Sequence, residues 1–264
     1  MLIVSQLFIY PIKSLGGIAV TSAVVTDRGL AGDRRWMLVN SNNQFLTQRT
    51  FSQMALLQTA IANDQLHITH KQTGENIAIP FNEKTGETAV AQIWDDQCPV
   101  EFVSRAADNW FSAQLNMDCR LAYMPDNSRR KVEAEYALNN DLTSLSDDFP
   151  YLMIGQASLN DLNSRLQQPI TIDRFRPNIV FTGGQPYQED TMEKFTINNI
   201  QWFGVKPCGR CVVTTINQQT AEVSKEPLQT LATYRSSNNK VNFGQNLLAS
   251  GTGIISIGDE IILL

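Results

Sequence analysis

LIVSQLFIY at residues 2–10 opens the chain with apolar residues in runs and at alternate positions, and the pattern returns in IAVTSAVVTD (18–27) and RWMLVN (35–40). β-Branched and aromatic residues at such spacing, punctuated by Gly, Asn and Asp, specify short strands and turns rather than helices. LHITH at 66–70 repeats the pattern. The first hundred residues therefore read as a small barrel or sandwich.

Outward from there the period changes. Ser104 precedes Ala107, Trp110, Phe111 and Leu115, one apolar stripe at helical spacing with Ser104 as its cap. Residues 119–124 return to a strand pattern, and the polar, acidic stretch 126–150 reads as a connection. The expected domains are 1–125 and 126–264. Ser158 and Asp161 form an S-x-x-D capping pattern ahead of Leu159, Leu162 and Leu166. RPNIVFTGG (176–184), FTINNIQWFGV (195–205) and CVVTTIN (211–217) read as strands. Pro227 starts a short helix with Leu228 and Leu231, and IISIGDEIILL (254–264) reads as a closing strand pair. The expected class is mainly β, an α+β chain with few helices.

Composition narrows the function. The 264 residues are 42% hydrophobic and 18% charged, enough for one large core or two modest ones. The net charge of −5 is spread in both signs with no Lys/Arg run, which argues against a nucleic-acid polymer as partner but leaves room for a small anion. The N-terminus lacks the pattern of a signal peptide and no stretch reaches 18 apolar residues, so a cytoplasmic protein with no membrane partner is expected. Four cysteines, Cys98, Cys119, Cys208 and Cys211, are too few and too scattered for a disulfide framework or a plant-type iron–sulfur cluster. Any electrons would have to come through a separate protein.

Cys208-Gly209-Arg210-Cys211 is the most informative tetrapeptide. A thiolate beside a guanidinium can serve redox exchange, metal ligation or nucleophilic attack, and physics alone does not choose. A β-branched run follows, which disfavours the helix start of a thioredoxin-like site, and a structural zinc would need two more ligands. Cys98 and Cys119 read as buried small hydrophobes. His67 and His70 fall on opposite strand faces and read as surface residues. Lys13-Ser14 before Gly16-Gly17 can present a cation, a hydroxyl and N–H groups to a phosphate, although such turns are also common in plain loops. Arg34-Arg35 after Asp33 reads as an anion site or a surface charge pair, and Arg176-Pro177-Asn178 as a heterocycle or anion contact or an interdomain salt bridge.

Together YPIKSLGG, GLAGDRRWMLV, FPYLMIGQASLNDLNSRL, DRFRPNIVF, KPCGRCVVTT and FGQNL resemble, in order and along the whole chain, the MOSC (molybdenum cofactor sulfurase C-terminal) family, and within it bacterial relatives of the amidoxime-reducing component. The resemblance implies an N-terminal MOSC-type β-barrel domain, a MOSC β-barrel domain, and a molybdenum cofactor (molybdopterin) in the cleft between them. It implies Cys211 as the protein ligand of molybdenum, with Lys13, Ser14 and Arg34 at the cofactor's phosphate. Arg176, Asn178 and Arg210 then fall to the pterin and its anionic groups, and Asp147 to the surroundings of the metal. A soft thiolate suits a metal already bound by sulfur.

The implied activity is reduction of small N-hydroxylated substrates, namely hydroxylamines, amidoximes and N-hydroxylated bases, to amines or amidines. Some bacterial relatives continue into a ferredoxin domain, whereas this sequence stops at Leu264. A separate electron donor, a flavin reductase or a ferredoxin, is therefore expected. The alternative of a different class is a carrier that binds the cofactor or passes on its sulfur without turnover.

Overall fold

Leu2–Ile9 (β1) does not remain with the first half of the chain. In the computed structural model, which describes residues 1–264, it is hydrogen-bonded between strands of the second half. Those strands are Tyr151–Gly155 (β2), Ile179–Thr182 (β3), Lys194–Ile197 (β4), Ile200–Gly209 (β5), Lys240–Ser250 (β6) and Glu260–Leu263 (β7). Their order is β2-β3-β1-β7-β4-β5-β6, and β6 returns to β2 with Leu247 opposite Tyr151, closing a seven-stranded barrel. Closure leaves no unpaired strand edge within the ring. The β2–β3 pair alone is parallel, and the helix Gln156–Arg165 provides the crossover that a parallel pair needs. Gly244 (φ +83°) lets β6 meet β2, since a Cβ there would stand 2.7 Å from Ile154 and 2.9 Å from the Met153 carbonyl. Val4, Leu7, Met153, Phe181, Phe195 and Trp202 fill the apolar core of this region.

Residues 36–123 form the second body. A four-stranded sheet runs Trp36–Val39, Arg120–Tyr123, Asp96–Phe102, Thr88–Ile93, and a three-stranded one runs Leu57–Ala62, Gln65–His70, Asn76–Pro80. The helix Arg105–Leu115 packs Ala107 and Phe111 against Trp36, Leu38 and Leu121. Its cap is Ser104, whose Oγ accepts the Ala107 N–H at 3.5 Å, as the sequence predicts. Cys98 and Cys119 are buried as expected. No helix is long and apolar enough to cross a membrane.

Several local expectations are corrected. Val212–Thr215 is a 3-10 turn, not a strand. The hydroxyls of Thr214 and Thr215 donate back to the carbonyls of Cys211 and Val212 at 3.0 and 2.7 Å, and Arg174 donates to the carbonyls of Thr214 and Thr215, which together override β-propensity. The helix after β2 starts at Gln156 with Gly155 as its cap, because the Ser158 hydroxyl is engaged by Glu189 and the Tyr187 N–H. The two closing strands do not pair with each other. Gly253–Ser256 pairs with Ser22–Thr26, whereas β7 joins the barrel. His70 is buried, its Nδ1 accepting the N–H groups of Gln72 and Thr73. The connection 126–150 carries a short strand pair and is pinned by buried Arg130, which donates to the carbonyls of Ser144, Ser146 and Asp147.

Candidate functional site

Pro11 follows β1, and the chain turns inward. The Lys13 N–H donates to the Trp36 carbonyl at 2.8 Å and the Gly16 N–H to Leu57, so this turn joins both sheets of residues 36–123 to the end of β1. Arg34 lies beside it, its N–H on the Tyr10 carbonyl. From the barrel side, the segment between the short 3-10 turn Ile172–Arg174 and β3 supplies Arg176 and Asn178, and the end of β5 leads through Arg210 to Cys211. All eight residues singled out from the sequence, Lys13, Ser14, Arg34, Asp147, Arg176, Asn178, Arg210 and Cys211, line one cleft of about 560 Å³ between the two bodies.

Ser14, Arg34 and Arg176 all have left-handed backbones, with φ of 67°, 47° and 56°. Non-glycine residues rarely adopt this conformation, and its concentration around one cleft marks a place where side-chain direction outweighs backbone ease. The Arg34 guanidinium donates to Asp33, to Asn178 Oδ1 (3.2 Å) and to the Arg176 carbonyl (3.2 Å). Asn178 also donates to the Phe8 carbonyl and accepts the Leu152 N–H, tying β1, β2 and β3 together. Arg176 Nη1 donates to the Leu15 carbonyl at 2.6 Å, while Nη2 is buried with no acceptor. Arg210 donates to Cys208 Sγ (2.9 Å) and to the Phe175 carbonyl (2.7 Å), and its Nε likewise has no acceptor.

The cleft is strongly cationic in an acidic chain. Lys13, Arg34, Arg49, Arg176, Lys206, Arg210 and Lys240 face only Asp95, Asp147 and Asp148. Lys13 is 4% exposed, with Nζ 2.6 Å from Asp147 Oδ1. Burial, partly offset by Asp147, lowers its pKa from 10.5 to about 8. Burial opposes ionisation of Asp147, but Lys13 and Arg49 hold it well below the usual carboxylate range. Its side chain remains 46% open to solvent. Arg176 is lowered to about 10 by burial and by the neighbouring charge of Arg34. Burial pushes the Cys208 thiol up against the pull of Arg210. Cys211 is half-buried on the cleft wall, capping the 3-10 turn, and no three His, Cys, Asp or Glu side chains converge as a metal-ligand set. A metal at Cys211 would need its remaining donors from a ligand.

These features fit a dithiolene-bearing phosphorylated pterin. It would bring sulfur donors to a lone thiolate, a phosphate to the cations, and acceptors to the orphan N–H groups of Arg176 and Arg210.

Sequence reasoning missed Arg49 and Trp94. Arg49 donates to Asp147 at 3.0 Å and packs on the Trp94 ring at 4.4 Å, and Trp94 Nε1 reaches Asp147 Oδ1 at 3.3 Å. The readable signal was a tryptophan in the turn WDD between two strands, where a large aromatic has no core to enter.

Residues 1–118 match the MOSC N-terminal beta barrel domain and residues 140–262 the MOSC domain. The chain is 31% identical to mitochondrial amidoxime-reducing component 1 of Mus musculus and 30% identical to that of Homo sapiens, each over 99% of this chain and 82% of the relative. It is 28% identical to the molybdenum cofactor sulfurase of Solanum lycopersicum over 98% of this chain and 35% of that protein.

Proposed function

Because this chain belongs to the MOSC family, with both its N-terminal barrel domain and its MOSC domain, we propose that it is a molybdenum-cofactor-dependent oxidoreductase that reduces N-hydroxylated compounds to amines or amidines. The observation that carries this reading is Cys211, a half-buried thiol without protein co-ligands, on the wall of a cleft rich in cations. When bound, the cofactor supplies two-electron oxygen-atom chemistry.

The chain's own residues bind and orient. Cys211 supplies one thiolate to the metal. Lys13, Ser14 and Arg34 take the phosphate, and Arg176, Asn178 and Arg210 take the pterin and its anionic groups. Asp147, held as a carboxylate by its two cations, orients Lys13 and Arg49 and is not a proton donor at neutral pH. Reduction of R–NH–OH to R–NH2 and water consumes two electrons and two protons, and a flavin reductase or ferredoxin is the proposed electron donor.

The match to a molybdenum cofactor sulfurase supports a second reading, a carrier without turnover. Incubation of cofactor-loaded protein with benzamidoxime and reduced viologen separates them. Amidine formation is expected, and bound pterin without product would establish the carrier.

A further inference from the structure

Tyr10 directly follows β1 but does not line the cleft; it lies behind the wall, 2% exposed. The guanidinium carbons of Arg34 and Arg176 lie 4.4 and 4.3 Å from the centroid of its ring. Its hydroxyl is buried without a hydrogen-bond partner, so the polar end of the side chain contributes nothing visible to the fold. Its backbone N–H donates to Asp33 Oδ1 at 2.7 Å, and the other oxygen of that buried carboxylate accepts from Arg34. Gly17 is the complement of the ring, because a Cβ on residue 17 would collide with Tyr10 Cε1 and Cδ1. The ring, seated by Gly17, thus adds to the hydrogen bonds that Arg34 makes to Asp33, Asn178 and the Arg176 carbonyl and that Arg176 makes to the Leu15 carbonyl, and it lies against two like charges that repel each other.

We propose that Tyr10 is the positioning residue of the anion clamp, its ring holding the Arg34 and Arg176 guanidiniums in place so that both serve one phosphorylated ligand. Two arginines that share a single buried carboxylate repel each other, and attraction of both to a desolvated aromatic ring offsets that repulsion. The ring does the work, and the hydroxyl is dispensable. This inference rests on the reading of the cleft as a phosphate-binding site.

The test is a phosphorus NMR titration of the full, cofactor-free chain with inorganic phosphate, with melting temperature measured in parallel. Wild type should bind phosphate and Arg34→Ala should lose it. Tyr10→Phe should bind like wild type and melt no lower, whereas Tyr10→Leu should bind about tenfold more weakly while still folded. Gly17→Ala, which displaces the ring without removing it, should weaken binding too. A folded Tyr10→Leu with wild-type affinity would overturn the proposal, as would a loss in Tyr10→Phe equal to that in Tyr10→Leu. If Tyr10→Leu does not fold, full affinity in Gly17→Ala overturns it and weakened affinity supports it. Absence of phosphate binding in wild type would overturn the phosphate site itself, a result distinguishable from failure of the Tyr10 role alone.

Discussion

Lys13 is a buried ammonium whose place in the cleft costs stability, and replacing it should reveal how much. Its pKa of about 8, against 10.5 for an exposed lysine, corresponds to about 3 kcal/mol of destabilisation while the side chain is charged. Lys13→Met keeps the length of the stem and removes the charge. Asp147 is not stranded, because its side chain is 46% exposed and retains Arg49 at 3.0 Å. At pH 7 the cofactor-free variant should therefore be as stable as wild type, or more stable by up to about 3 kcal/mol, while its phosphate affinity falls.

The pH dependence follows from the same shift. Between pH 8 and 10.5 the unfolded chain still carries the Lys13 proton and the folded chain has shed it, so wild-type stability rises with pH in this window. Below pH 8 both states are protonated and the cost is fully present. The variant lacks this rise, so the difference between the two should shrink from pH 8 upward. Urea unfolding at intervals from pH 7 to 10 measures it. A variant more than about 1 kcal/mol less stable at pH 7, with a difference independent of pH, would refute the account of Lys13 as a functional charge held against its burial cost.

Arg130 makes the opposite case. Its side chain is 4% exposed and it holds the carbonyls of Ser144, Ser146 and Asp147, so Arg130→Met should cost about 3 kcal/mol in urea unfolding; a loss under about 1 kcal/mol would mean that the loop carrying Asp147 is fixed elsewhere. Cys208→Ala should retain most of the bound molybdenum, since Cys208 Sγ already accepts a hydrogen bond from Arg210 at 2.9 Å; metal loss equal to that in a Cys211 variant would point to a dithiol site. With NADPH alone, loaded protein should form no amidine from benzamidoxime, because no GxGxxG dinucleotide motif is present, and added flavoreductase should restore turnover. Product with NADPH alone would remove the need for a partner.

Much of the strand content and the cap at Ser104 could be read directly, because alternation and capping are local signals. The barrel closure could not. β1 finds β3 and β7 across most of the chain, and nothing local in LIVSQLFIY names those partners. CVVTT misled because β-propensity is weaker than two threonine hydroxyls bonding back to the chain and an arginine at the far end of the turn. His70 misled because strand alternation places its Cβ but not the turn N–H groups that its ring accepts. In the cleft, the residues carried by YPIKS, GDRR, RPN and CGRC converge because each motif lies at the end of a strand. Arg49 and Trp94 belong to no such motif, and their role shows only once the 126–150 connection brings Asp147 against them.

The central claim is that Cys211 holds molybdenum in a phosphate-anchored cofactor. Its most direct test is the molybdenum and pterin content of wild type and Cys211→Ala purified side by side from a host that makes the cofactor. Wild type should carry both in near-equal amounts, and Cys211→Ala should be folded but depleted of metal. Folded wild-type protein without molybdenum, or a Cys211→Ala protein as rich in molybdenum as wild type, would contradict the account.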